Sequence, residues 1–205
     1  MTTPTRLTAL ALVCSLKPSP APSSSEKIAR DVLAALGEHG VEGSVVRVVD
    51  LDVRPGVEAD MGDGDAWPDL RTQIHRADIL VLATPTWVGH MSSVAQRVLE
   101  RLDAELSDTD PSGRPLVTGT VAVTAVVGNE DGAHKITADL FQALNDVGFT
   151  IPAQGSTYWN DEAMGSRDYG DLAEVPEAVA STTATLAENA AHLARALRAA
   201  PYPGR

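Results

Sequence analysis

The chain of 205 residues has a single cysteine, Cys14, so no disulfide can form within it and a reducing compartment is its natural setting. Aromatic residues are scarce, at two Phe, three Tyr and three Trp. Positive charge is short as well: 16 Lys and Arg against 28 Asp and Glu leave a formal charge of -12. That balance argues against a nucleic-acid partner or an anionic membrane surface. No apolar run approaches the ~20 residues of a membrane span. Several motifs are also missing. Without G-x-G-x-x-G or G-x-x-x-x-G-K-[ST], neither a Rossmann dinucleotide site nor a P-loop is indicated. There is no G-x-S-x-G nucleophile elbow and no His/Cys cluster at metal-ligand spacing. The acidic stretch carrying Glu58, Asp60, Asp63 and Asp65 does not match the calcium-loop spacing, so no metal is expected there.

What is present suffices for one domain spanning residues 1–205, since 43% of the residues are hydrophobic and the length supports a sizeable core. Residues 201–205 read as a frayed tail. Arg6 followed by Leu7–Val13 has the outline of a short secretion signal. The stretch is brief, however, and Cys14 follows Val13 rather than a small residue. It is read as the first strand of a cytoplasmic protein.

The most informative stretch is residues 79–103, ILVLATPTWVGHMSSVAQRVLERLD. Its first five residues form an unbroken apolar run, as in a strand buried on both faces of a parallel sheet. Thr84-Pro85 stops the run, and a loop of Thr86, Trp87, Val88, Gly89 and His90 follows. A helix comes next, with Ser93 and Gln96 spaced as a capping box and Val94, Val98 and Leu102 on one face. Such a loop, at the carboxyl end of a central strand, lies where open α/β sheets bind ligands. Pro85 stiffens it, Gly89 permits close approach, and Trp87 offers a flat surface.

Two further loops have the same setting. Residues 14–25, CSLKPSPAPSSS, follow the first strand and carry five serines, three prolines and Lys17. They lead into a helix that starts near Ser23, with Glu26 at capping-box spacing. Serine hydroxyls, first-turn amides and the helix dipole suit a phosphate. The strand at Val117–Val127 ends at Gly128-Asn129-Glu130-Asp131-Gly132, where glycines expose backbone amides. Asp131 can also cap the helix that follows, in which Ile136, Leu140 and Leu144 recur, and Gly148 closes it. His134, in its first turn, is a candidate hydrogen-bonding group or proton donor. The adjacent Tyr158 and Trp159 either wall a pocket or fill an interface.

The remaining elements are a second strand at Ser44–Leu51, a short helix at Pro68–Ala77, a last strand after Phe149, and an Ala-rich helix from Pro176 with Leu186, Leu193 and Leu197 on a face. Five strands alternating with five helices predict an α/β fold, a three-layer, doubly wound five-stranded parallel sheet in the order 2-1-3-4-5. In that order the three loops line one crevice. One suits a phosphate, one a flat ring and one a polar ring edge, which together describe a mononucleotide with a large planar base.

These features resemble the flavodoxin-like NAD(P)H-dependent FMN reductase family, which includes quinone and chromate reductases. Cys14-Ser15-Leu16-Lys17 with Ser23–Ser25 is similar to the family's G-S-x-R phosphate loop, with Cys and Lys replacing Gly and Arg. Residues 84–93, TPTWVGHMSS, resemble its T-P-x-[YW]-x-G-x-x-[SP] flavin loop, the most specific match. Residues 127–132, VGNEDG, take the place of its third loop. The resemblance implies FMN, NAD(P)H as co-substrate, a small-molecule electron acceptor, and a homodimer or homotetramer. It carries the phosphate to Ser15, Lys17, Ser23, Ser24 and Ser25. The ring goes to Pro85, Thr86, Trp87, Val88 and Gly89, with a loop amide near N5. The remaining contacts fall to Gly128, Asn129, Asp131, Gly132 and His134. No catalytic side chain is required, because the flavin carries the chemistry. The alternatives are an FMN-binding electron carrier with no nicotinamide site, or a flavin-free α/β module.

Overall fold

A computed structural model describes residues 6–203; most of the predicted tail, 201–203, lies within them and its last two residues outside. The sheet is built from β1 (Leu7–Val13), β2 (Val41–Arg47), β3 (Ile79–Trp87), β5 (Val121–Val127) and β6 (Ser156–Trp159), with a two-residue strand β4 (His90–Met91) folding back on β3. The order is β2-β1-β3-β5-β6, and all of these pairings are parallel except β3 with β4. This is the expected 2-1-3-4-5 arrangement once the short β4 is set aside. Central strands β1, β3 and β5 are apolar along nearly their whole length because helices cover both faces of the sheet.

One face packs against α1 (Ser24–Glu38) and α5 (Glu177–Ala199). The other packs against α2 (Trp67–Arg76), α3 (Ser93–Leu102) and α4 (Ala133–Asp146). The predicted faces of α1 (Ile28, Val32, Leu36) and α4 (Ile136, Leu140, Leu144) are fully buried. In α5 the buried stripe is different. Leu186 is buried, but Ala187, Ala190, Ala191 and Ala194 make most of the contact, and Leu193 and Leu197 are only partly covered. Small side chains let this long helix lie close to the sheet.

Local boundaries also shift from the sequence reading. Ser92, not Ser93, caps α3, accepting from the Ala95 N–H. Its hydroxyl also donates to the Cys14 carbonyl at 2.6 Å, tying α3 to the end of β1. Residues 117–120 make turns ahead of β5 instead of extending it. The second strand ends at Arg47 and runs into a 3-10 turn at Val48–Asp50. Asp131 does not cap α4: Gly132 occupies the cap position, and the Asp131 carboxylate accepts from the Gly132 N–H.

The acidic segment after β2 is held by charge pairing. Arg101 on α3 is fully buried, and it meets Asp65, equally buried, at 2.8 Å. It also donates to the carbonyls of Arg54 and Glu58 and lies 5.4 Å from the Trp67 ring centre. Burial alone would push the Asp65 carboxyl up. The Arg101 bond and N–H donors from Met61, Trp67 and Arg54 override it and hold the group well below the usual carboxylate range. Glu105, buried with Arg71 and His75 on its two oxygens, is also lowered despite its burial.

A buried charge stripped of its partner costs roughly 3–5 kcal/mol. Arg101→Ala should therefore lower unfolding free energy by about that amount in urea titration at neutral pH. Because the folded pKa values of Asp65 and Glu105 are depressed, their contribution is complete above the unfolded value of about 4. It drains away as pH falls through the folded values. Asp65→Asn should thus be less stable than the parent at neutral pH and lose less on acidification, which urea midpoints at neutral and acidic pH would show.

Candidate functional site

The carboxyl ends of β1, β3 and β5 open into a solvent-connected crevice, the place where open α/β sheets bind ligands. Ser15, Leu16, Lys17, Ser23, Ser24 and Ser25 form one end. Pro85, Thr86 and Trp87 form a wall, and Val127, Gly128 and Asn129 face them. The last wall is Trp159 with Asp168 and Tyr169. Ten of the residues predicted from sequence are thereby brought together: Ser15, Lys17, Ser23, Ser24, Ser25, Pro85, Thr86, Trp87, Gly128 and Asn129.

The serine end is built by α1. Ser23 caps the helix, its hydroxyl accepting from the Glu26 N–H at 3.2 Å. The amides of Ser24 and Ser25 fall in the first turn, where no intrahelical acceptor exists. The expected reciprocal bond from Glu26 is absent, because its carboxylate goes to Arg30 and Arg47 instead. Arg47, missed in the sequence, also donates to the carbonyls of Lys17 and Ala21 and so braces the proline-rich loop from behind. Ser15 is buried, and its hydroxyl accepts from the Lys17 N–H at 3.0 Å. Lys17 is exposed.

The wall at Trp159 and Tyr169 was legible in part. Trp159 is buried, whereas its neighbour Tyr158 stays on the surface. Tyr169 gave no sequence signal, because it sits in an irregular segment. It is fully buried, tilted against Trp159 at 5.6 Å between ring centres, and donates its hydroxyl to Asp31 at 2.7 Å. Burial and that carboxylate both push its phenol up, so it stays protonated. Lys27 donates to the carbonyls of Tyr169 and Leu172, and the Ser24 hydroxyl accepts from the Gly170 N–H. The segment 168–172 is thus strapped to the start of α1.

Two glycine contacts close the opposite corner. A Cβ on Gly128 would lie 2.8 Å from Thr86 Cβ, and one on Gly132 would lie 2.9 Å from Gly89 Cα. The turn from β3 to β4 is therefore pressed against the loop after β5. That turn holds Val88 at φ 53° and Gly89 at φ 72°. Such a primed hairpin turn ordinarily takes Asn-Gly, and a β-branched residue there stores about 1–3 kcal/mol of strain. Glu130 offsets it: its carboxylate accepts from the Val88 N–H at 2.9 Å and the Gly89 N–H at 3.3 Å. At this largely solvent-exposed turn the net contribution of the pair is about 0.5–1.5 kcal/mol.

Five predicted residues do not line the crevice. Val88 and Gly89 form the turn behind Trp87, and Glu130 occupies the amides expected to be free there. Gly132 backs that turn, and Asp131 is exposed. His134 lies on a separate surface groove beside Phe141 and Gln154, its ring 5.0 Å from that of Tyr158 with Nε2 3.1 Å from the phenol oxygen. Burial pushes the Cys14 thiol up, so it is no thiolate nucleophile.

A parallel doubly wound sheet with a serine-lined helix start, an aromatic wall and a glycine-backed polar edge at its carboxyl end defines a mononucleotide-binding protein of flavodoxin-like architecture. Comparison with known proteins makes the assignment narrower. The family model for NADPH-dependent FMN reductase matches residues 7–163, and the chain belongs to that family. It is 32% identical over 216 residues to 8-demethyl-8-aminoriboflavin-5'-phosphate synthase of Streptomyces davaonensis, covering 96% of this chain and 80% of that one. It is also 34% identical over 200 residues to the divalent metal cation transporter MntH of Mycobacterium bovis, spanning 94% of this chain but only 29% of the transporter's length. Among the described residues no helix is long and apolar enough to cross a membrane. The crystal structure of RosB with bound 8-demethyl-8-formylriboflavin-5'-phosphate superposes with a TM-score of 0.86 at 30% identity, covering 96% of this chain and 82% of that chain. An archaeal flavodoxin, at 8% identity and a TM-score of 0.58 over 92% of this chain and 99% of its own, shares the fold alone.

FMN is thus the cofactor of the family, and the residues present fit it. Thr86 lines the crevice, and its Oγ1 and Trp67 Nε1 are buried side-chain polar atoms without a hydrogen-bond partner among the described residues. A buried hydroxyl of this kind costs about 1–3 kcal/mol until something bonds to it. Thr86→Val should leave the ligand-free protein as stable as the parent or up to ~1 kcal/mol more so, while weakening FMN binding several-fold. Thermal unfolding with and without FMN reads both effects, and equal losses in the two states would count against a ligand role for this hydroxyl.

Proposed function

We propose that the protein is an FMN-dependent oxidoreductase that uses NAD(P)H and a small acceptor such as a free flavin or a quinone. Family membership supports a flavin-related oxidoreductase. The nicotinamide donor and the acceptor are our reading. The observation that carries it is the convergence of three loops into one crevice with a phosphate-suited end and an aromatic wall.

In this reading Ser15, Lys17 and Ser23–Ser25 hold the phosphate with hydroxyls, first-turn amides and one ammonium. Pro85, Thr86 and Trp87 hold the ring on one side, and Gly128 and Asn129 serve its polar edge. Trp159 and Tyr169 exclude water from the far wall. When bound, the flavin supplies the hydride and electron chemistry, and the chain supplies placement and electrostatics. Arg47 keeps the serine loop in shape rather than touching the ligand. Nothing in the crevice needs to act as a nucleophile. The lone cysteine and the reading of Leu7–Val13 as a strand support a cytoplasmic setting, and the family resemblance supports a homodimer or homotetramer, which light scattering on the purified protein would test.

A second reading has a flavin 5'-phosphate as the molecule acted on rather than a resident cofactor. It is favoured by the 32% identity to a synthase whose name specifies a modified riboflavin phosphate. A carrier that binds FMN without a nicotinamide site is the third. Gel filtration after FMN saturation should retain flavin near stoichiometry, and anaerobic NADPH should then bleach it. Retained but unbleached flavin would favour the carrier. A changed flavin mass after turnover would favour the synthase-like reading, and no retained flavin would overturn the resident-cofactor and carrier readings.

A further inference from the structure

The turn that presents Trp87 is not held by β3 alone. Trp87 is half exposed at the crevice and pairs with His90 across a two-residue hairpin. The residues between them, Val88 and Gly89, both have positive φ, and Val88 is 85% exposed with no packing to fix it. What does fix the turn is Glu130, half-buried on the opposite loop, whose two carboxylate oxygens take the two consecutive amides. Successive amides converging on one anion form the nest that proteins use to bind oxyanions. Here the anion is supplied by the chain itself.

The geometry points to Glu130 as the positioning residue for Trp87: a carboxylate latch that fastens the ring-side wall of the crevice to the Gly128–Asn129 wall. It deepens, and rests on, the flavin reading above. Asn129 and Gly128 line the crevice and Glu130 is next in sequence, so its grip on the hairpin sets the width between the two walls. The glycines at 89 and 132 are the counterpart of that grip. A Cβ on Gly132 would collide with the Gly89 backbone, whereas Gly89 is needed for its positive φ, so the walls can come together as far as the latch draws them. Val88 makes the device sensitive, because a strained residue leaves the turn conformation once its amide loses its acceptor. Glu130 itself does not line the crevice, so its effect on a ligand passes through Trp87.

The test uses the full chain as parent, Glu130→Ala and Glu130→Gln. Glutamine keeps one acceptor oxygen and serves as the partial rescue. Trp67 and Trp159 are buried, so acrylamide quenching of tryptophan fluorescence in the flavin-free protein reports mainly on Trp87, and Trp87→Phe supplies the background. Glu130→Ala should raise the Trp87 quenching constant about twofold and the FMN dissociation constant about tenfold, a change of ~1.4 kcal/mol. Its melting temperature should stay within a few degrees of the parent, and Glu130→Gln should recover part of both effects. Parent-like quenching and FMN affinity in Glu130→Ala would overturn the latch. So would a large fall in melting temperature with no rescue by glutamine, since that marks a merely structural residue. A parent that binds no FMN, yet whose Trp87 quenching still responds to Glu130→Ala, would sink the flavin reading and leave the latch standing.

Discussion

The close approach of Gly132 to the Gly89 backbone and of Gly128 to the Thr86 side chain, which a Cβ on either glycine would block, is the constraint on which the functional end of the molecule depends. A parallel sheet places the ends of β3 and β5 side by side, but adjacent strands about 4.8 Å apart leave no room for side chains between the loops that leave them. Removing Cβ atoms at these positions lets the loops meet before they diverge, and the crevice opens beyond that point. The corner then fixes Trp87 on one side and Asn129 on the other. A larger residue at 128 or 132 would have to push the walls apart.

The same economy governs the charges. The buried or half-buried arginines at residues 47, 71 and 101 are committed to the protein. Arg47 is spent on Glu26 and the proline loop, Arg101 on Asp65, and Arg71 on Glu105 and Asp108. Lys27 lies over the Tyr169 ring and donates to two carbonyls. They pin loops that regular hydrogen bonding does not reach, and of these Arg47 and Lys27 hold segments that line the crevice. The acidic surplus of the chain serves in part as the set of partners for these arginines, so the net charge of -12 gives little guide to the field inside the crevice.

Much of this was readable in the residues. Unbroken apolar runs located β1, β3 and β5, because a strand covered on both faces leaves no alternation to hide it. Ser23 and the i, i+4, i+8 spacing in α4 fixed two helices. The parts that were not legible share a cause: they depend on contacts far apart in sequence. Tyr169 lines the crevice only because Lys27, Asp31 and Ser24 draw an irregular segment onto α1. Arg47 looked like an ordinary strand residue until Glu26, 21 residues away, was placed beside it. Val88 and Gly89 read as free donors because a carboxylate 41 or 42 positions later could not be foreseen on them. In α5, leucines drew attention, yet alanines do the packing, since close approach favours the smaller side chain.

The crevice itself carries one formal positive charge, on Lys17, and one negative, on Asp168. In the proposed reading a phosphate would therefore draw mainly on dipoles, the serine hydroxyls, the first-turn amides and the positive end of α1, with the single ammonium of Lys17 added. Dipoles are directional where an ammonium is not. In the proposed reading such a site would select the shape and position of a phosphate more than its charge, so that a ligand whose phosphate reaches the serine end while its ring reaches Trp87 would be favoured over an anion that reaches one end alone. The span between those ends is set by the width of β1 and β3 together, a distance fixed by the sheet, and the two walls at the ring end are fixed by glycine and by Glu130. Recognition in this fold thus comes from the spacing of rigid elements, with the loops contributing polar atoms at places the strands determine.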